Sequence, residues 1–77
     1  MPRGLFNWTF KDVARFLEIK RFHLNYTNAS HYYYTGHTNG VYRQVCVPFH
    51  GNKIIKPRTM RGIILQSGLS KNEWLAK

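Results

Sequence analysis

Between Phe22 and Pro48 the chain reads as three short strands broken by two turns, and this stretch most restricts the fold. Phe22, Leu24 and Tyr26 alternate with His23 and Asn25, a period of two that gives a strand one buried face. Thr27-Asn28-Ala29 is a turn. His31-Tyr32-Tyr33-Tyr34 is a second strand, rich in β-forming aromatic rings. Alternation puts Tyr32 and Tyr34 on one face and Tyr33 on the other. Thr35 to Gly40 is a polar hairpin tip ending in Asn-Gly, a strong turn signal. Val41 to Val47 is the third strand, and Pro48 ends it. Consecutive strands with links this short pair antiparallel.

Helical patterns flank the strands. Thr9 opens the first helix, with Asp12 at the return position of a capping box. Phe10, Val13, Ala14, Phe16 and Leu17 recur at three- and four-residue spacing and form one apolar face, which should run to about Lys20. No glycine marks the stop at Arg21. Phe49 to Ile55 is a loop. Lys56-Pro57 starts the second helix, with Pro57 where a missing amide costs little. Met60, Ile63, Ile64 and Ser67 face inward, and Gly68 is placed as the C-terminal cap. Ser70 and Glu73 form a second capping box, opening a short helix with Trp74 and Leu75. The expected fold is α+β, in the order αβββα with a short extra C-terminal helix. Both main helices cover one face of a three-stranded antiparallel sheet; the other face stays open or meets a partner. Double-stranded-RNA-binding domains share this order, although fold alone does not decide function. Residues 1–8 are expected to be an N-terminal arm and 9–77 the single domain.

A chain of 77 residues buries only about 60% of the surface its unfolded form exposes. Cys46 is its only cysteine, so no internal disulfide reinforces it. In an apolar strand a lone cysteine reads as a small core residue. No apolar run reaches a membrane span, and no signal peptide is expected, which suggests a soluble cytoplasmic protein. Twelve Lys and Arg stand against Asp12, Glu18 and Glu73, a formal charge of +9. A surplus this large on so small a surface draws polyanions. Nucleic acid is the first expectation, an acidic protein the second and an anionic membrane surface the third.

Two segments carry the chemistry. Asn28-Ala29-Ser30-His31-Tyr32 sets a histidine beside a small-residue turn at a strand start. Val47-Pro48-Phe49-His50-Gly51-Asn52-Lys53, running on to Lys56-Pro57-Arg58-Thr59, ends a strand, crosses a basic loop and opens a helix. With the opening helix Thr9 to Leu17, the strand from Phe22, and Ile63-Ile64-Leu65, Gly68-Leu69 and Ser70, these segments resemble the HicA family of toxin–antitoxin ribonucleases from about Thr9 to Leu75. The chain departs from the family pattern at four places. Arg21, Ala29 and Arg58 stand where the family has glycine, and Tyr32 stands where it has a second histidine.

The resemblance implies the toxin component of a type II toxin–antitoxin system, an endoribonuclease cleaving mRNA without a metal or cofactor and neutralised by a HicB-like antitoxin in an oligomeric complex. His31 inherits the catalytic role. The chemistry suits this. RNA carries its own nucleophile, the 2′-hydroxyl, so cleavage needs a base, an acid and cations for the phosphorane charge. Imidazole serves either proton role, and Lys or Arg serves the third. His50 is the expected helper. Ser30, Tyr32, Lys53, Lys56, Arg58 and Arg61 are the expected RNA-binding residues. A metal site built from His23, His31, His37, His50 and Cys46 is not expected, because no pair has ligand spacing. Nor is a Cys46–His50 nucleophilic dyad, since their spacing fixes no geometry. The alternative is a non-catalytic RNA-binding module of the double-stranded-RNA-binding type.

Overall fold

The computed structural model describes residues 4–76; the first three residues of the expected arm, and Lys77, lie outside them. In chain order come helix α1 (Phe10–Ile19), strands β1 (His23–Asn28), β2 (His31–Thr38) and β3 (Val41–Pro48), and helices α2 (Pro57–Ser67) and α3 (Lys71–Leu75). The sheet order is β1-β2-β3, antiparallel throughout. Both expected capping boxes form. Asp12 Oδ2 accepts the Thr9 amide at 2.9 Å and Glu73 Oε2 accepts the Ser70 amide at 3.0 Å. The Ser70 amide, first, and then Lys20, at 3.3 Å, hold the Glu73 carboxyl below its ordinary range.

Helix α1 stops without glycine. The Phe22 amide donates to the Leu17 carbonyl at 2.8 Å, and the Arg21 amide to Glu18 at 3.0 Å. This Schellman pairing requires a left-handed residue between them, and Arg21 supplies it at φ 70. Ala29, in the β1–β2 turn, likewise sits at φ 55. Two of the family's glycine positions are therefore left-handed here although their side chains disfavour it. At the end of α2, Gly68 meets the same need at φ 72.

The strands depart from the sequence reading first at both turns: Thr27 and Asn28 pair with Tyr32 and His31 as the end of β1, so the β1–β2 turn is only Ala29-Ser30. β2 does not end at Tyr34 but continues to Thr38, paired with Val41, so the hairpin tip is only Asn39-Gly40. Both of those residues have positive φ, as a two-residue primed turn needs. Gly36 is not a turn residue but lies within β2, where the Phe22 ring takes the space of a side chain: a Cβ would come within 2.8 Å of Phe22 Cγ. The second departure is β1, which has no buried face. Phe22 is fully buried just before it, yet Leu24 and Tyr26 are 47% and 48% exposed. Helices α1 and α2 pack over β3, leaving β1 an uncovered edge. A bulge at Asn25 also breaks the alternation, because Leu24 pairs with Tyr34 while Tyr26 pairs with Tyr33.

The core lies between the helices and one sheet face. Val13, Phe16, Leu17, Met60 and Ile63 meet Tyr34, Val45 and Val47. Burial, and then Glu18, raises the Tyr34 hydroxyl above its ordinary value. Residues from the two ends of the chain complete the packing. Trp8 and Trp74, both fully buried, lie 5.3 Å apart and clasp Phe16 at 5.8 and 4.0 Å. The Trp8 indole donates to the Gly4 carbonyl at 3.0 Å. Thr38 donates to the Ser67 carbonyl at 2.7 Å, tying β2 to the end of α2. Among the described residues, no helix is long and apolar enough to cross a membrane.

Candidate functional site

β3 is the second sheet edge, and α2 runs beside it. Between them lies an open cleft of about 640 Å³. Its floor and walls follow from periodicity. Thr59, Gly62, Ile63 and Gln66 recur along one side of α2, and Cys46 and Pro48 lie along β3. Gln66 Oε1 accepts the outward Cys46 amide at 3.0 Å, satisfying one donor of the exposed strand edge. The loop from His50 to Lys56 closes one end, and His31 faces the same cleft from the start of β2, paired with Pro48.

His31 is held by the turn before it and by the ladder after it. The Ser30 carbonyl accepts the Phe49 amide at 2.7 Å, extending the β2–β3 pairing past Pro48. That bond joins the segment of His31 to the segment of His50. Gly51 turns the loop with φ 61, and the Lys53 amide donates to the His50 carbonyl at 3.2 Å. Lys56 is the N-cap residue of α2 and makes no side-chain cap bond; no acid lies in the first turn. Pro57 has no amide N–H, so the amides of Arg58 and Thr59 are the ones this end of the helix offers to an anion, in keeping with its dipole.

The cleft therefore brings His31, His50, Lys53 and Lys56 together. It does not gather every expected residue. Ser30, Tyr32, Arg58 and Arg61 do not line it. Tyr32 turns to the helix side, where it meets Phe10 at 4.9 Å and Phe49 at 5.7 Å. Arg61 lies over the Phe6 ring at 5.6 Å, and Arg58 is exposed in the first turn of α2. Sequence reasoning missed Thr59, Gly62 and Gln66 as cleft residues. Their i, i+3, i+7 spacing on α2 was readable, but only the packing of that helix against β3 gives it meaning. Among the described residues, no three His, Cys, Asp or Glu side chains gather as metal ligands would.

The protein is a small α+β domain with an αβββα order and a cleft lined by Lys53 and Lys56 beside a strand-end histidine. A family model described as the HicA toxin of bacterial toxin–antitoxin systems matches residues 10–69, and the chain belongs to that family. Membership implies an antitoxin partner. No curated protein and no solved structure matches the chain. Trp8 and Trp74 lie just outside the matched residues, so the aromatic clasp on Phe16 joins the two flanks of the family domain.

Proposed function

We infer that the protein is a metal-independent endoribonuclease toxin that cleaves mRNA and is held inactive by a HicB-like antitoxin covering the cleft. The single observation that carries this reading is the shared cleft of His31, His50, Lys53 and Lys56. His31 takes the proton of a 2′-hydroxyl, whose oxygen attacks the adjacent phosphorus. The bond to the 5′-oxygen breaks, and His50 gives that oxygen a proton. The products are a 2′,3′-cyclic phosphate and a 5′-hydroxyl, so atoms and charge balance. Lys53 and Lys56 hold the non-bridging oxygens as negative charge builds; a preorganised cation in that place lowers the barrier more than a solvated one. Arg58 and Arg61, outside the cleft, meet flanking phosphates, and Ser30 holds the turn that carries His31.

One observation favours the second reading, a non-catalytic RNA-binding module. Tyr32 replaces the family's second histidine and packs against Phe10 and Phe49, so it offers no proton-transfer group beside His31. Induced expression in a bacterial host separates the readings. The endoribonuclease arrests growth, and His31→Ala relieves the arrest at equal protein level. Arrest unchanged by His31→Ala would overturn the catalytic assignment.

A further inference from the structure

The face of the sheet turned away from the helices carries an aromatic surface that the cleft chemistry does not use. Register places His31, Tyr33 and His37 of β2 on this face, with Tyr42 of β3 opposite His37. The Asn25 bulge adds Tyr26. Uninterrupted alternation would have left Tyr26 on the same side as Leu24; the extra residue instead sets it opposite Tyr33. The two phenol rings lie parallel, with centroids 4.5 Å apart and planes 10° apart. Tyr26 is 48% exposed, so the stack ends on a ring open to solvent. A second aromatic pair, His37 and Tyr42, sits further along at 5.4 Å.

The open face sets no negative charge against a polyanion. The three side-chain carboxylates, Asp12, Glu18 and Glu73, lie on helices, and among the described residues the open face carries none. The rest of the molecule is strongly basic. Along β2, Tyr33 is two residues from His31, about 7 Å at antiparallel strand rise. The aromatic stack is therefore continuous with the mouth of the cleft, where Lys53 and Lys56 stand.

We propose that the Tyr26–Tyr33 pair is a stacking platform for unpaired RNA bases, holding a single-stranded segment on the open sheet face beside the scissile position at His31. Aromatic rings bind bases of any sequence through their faces, and only unpaired bases expose those faces. The bulge has a clear role in this arrangement: it builds the stack. The proposal rests on the ribonuclease reading and adds to it a binding surface outside the cleft.

The test uses the full chain and a 2′-O-methyl RNA of mixed sequence, which lacks a free 2′-hydroxyl and stays intact. Binding is read by fluorescence anisotropy for wild type, Tyr33→Ala, Tyr33→Phe and Tyr26→Ala, each checked for folding by circular dichroism. The expected result is a loss of about tenfold in affinity for each alanine variant. Tyr33→Phe, which keeps the ring, should bind like wild type. The same RNA annealed to its complement should bind more weakly than the single strand. Equal binding by folded Tyr33→Ala and wild type would overturn the platform and leave the ribonuclease reading standing. No binding by wild type would overturn both. Concentration-dependent dimerisation lost in Tyr33→Ala, with RNA affinity unchanged, would assign the face to a second copy of the chain and overturn the proposal.

Discussion

Replacing Ala29 with glycine should stabilise the protein, although it removes a methyl group and adds no contact. Ala29 sits at φ 55 in the two-residue turn that delivers His31 to the cleft. A residue with a Cβ pays about 1–2 kcal/mol to be left-handed. Glycine removes that strain but enlarges the unfolded ensemble, which takes back about 0.4–1 kcal/mol. Taken at mid-range, the balance is a gain of about 0.5–1 kcal/mol. For a domain of this size each kcal/mol moves the melting temperature by about 4–8 °C, so the expected rise is about 2–8 °C. Circular dichroism melts of wild type and Ala29→Gly measure it directly. Arg21→Gly, at φ 70 in the Schellman turn, should behave alike. Ala14→Gly, in the middle of α1, should do the opposite and lose about 1 kcal/mol. An unchanged or lowered melting temperature for Ala29→Gly would refute the argument that this turn is strained.

Three further outcomes follow from the packing. Trp74→Ala should cost about 3–5 kcal/mol in urea unfolding, because the ring is fully buried between Trp8 and Phe16; a loss under about 1 kcal/mol would show that α3 is not part of the folded unit. Gly36→Ala should lower the urea midpoint by the equivalent of about 1–3 kcal/mol, since the new Cβ meets Phe22 Cγ at 2.8 Å and the Phe22 backbone at 3.1 Å; an unchanged midpoint would mean the ring moves freely. Glu73 is held below its ordinary value, so its stabilising contribution is complete above about pH 4.3 and declines as pH falls through the depressed folded value. Urea midpoints followed from about pH 6 down through the carboxylate range should fall more steeply for wild type than for Glu73→Gln, and parallel curves would contradict the assignment.

Local signals in the sequence carried over well. The two capping boxes, Pro57 at the start of α2 and Gly68 at its end each depend on residues within four positions, and each formed as read. Long-range packing was hidden. Gly36 looked like turn chemistry because glycine usually is, whereas its reason is the Phe22 ring brought from the end of α1. Leu24 and Tyr26 had the alternation of a half-buried strand, but burial depends on where the helices lie, and they lie over β3. A bulge leaves no mark in composition, so the move of Tyr26 to the open face could not be read. Of the candidate site, His31, His50, Lys53 and Lys56 were legible as two chain segments that a hairpin and a loop bring together. Tyr32 was misleading for a physical reason: on β2 its parity with buried Tyr34 turns it toward Phe10.

The role proposed for His31 is to drive RNA cleavage without a metal. Its most direct test incubates purified wild-type and His31→Ala proteins with a long single-stranded RNA in excess chelator, followed by gel electrophoresis. Wild type should cut the RNA, leaving 2′,3′-cyclic phosphate ends, and folded His31→Ala should leave it intact while still shifting its mobility. RNA left intact by both proteins, or cut equally by both, would contradict it.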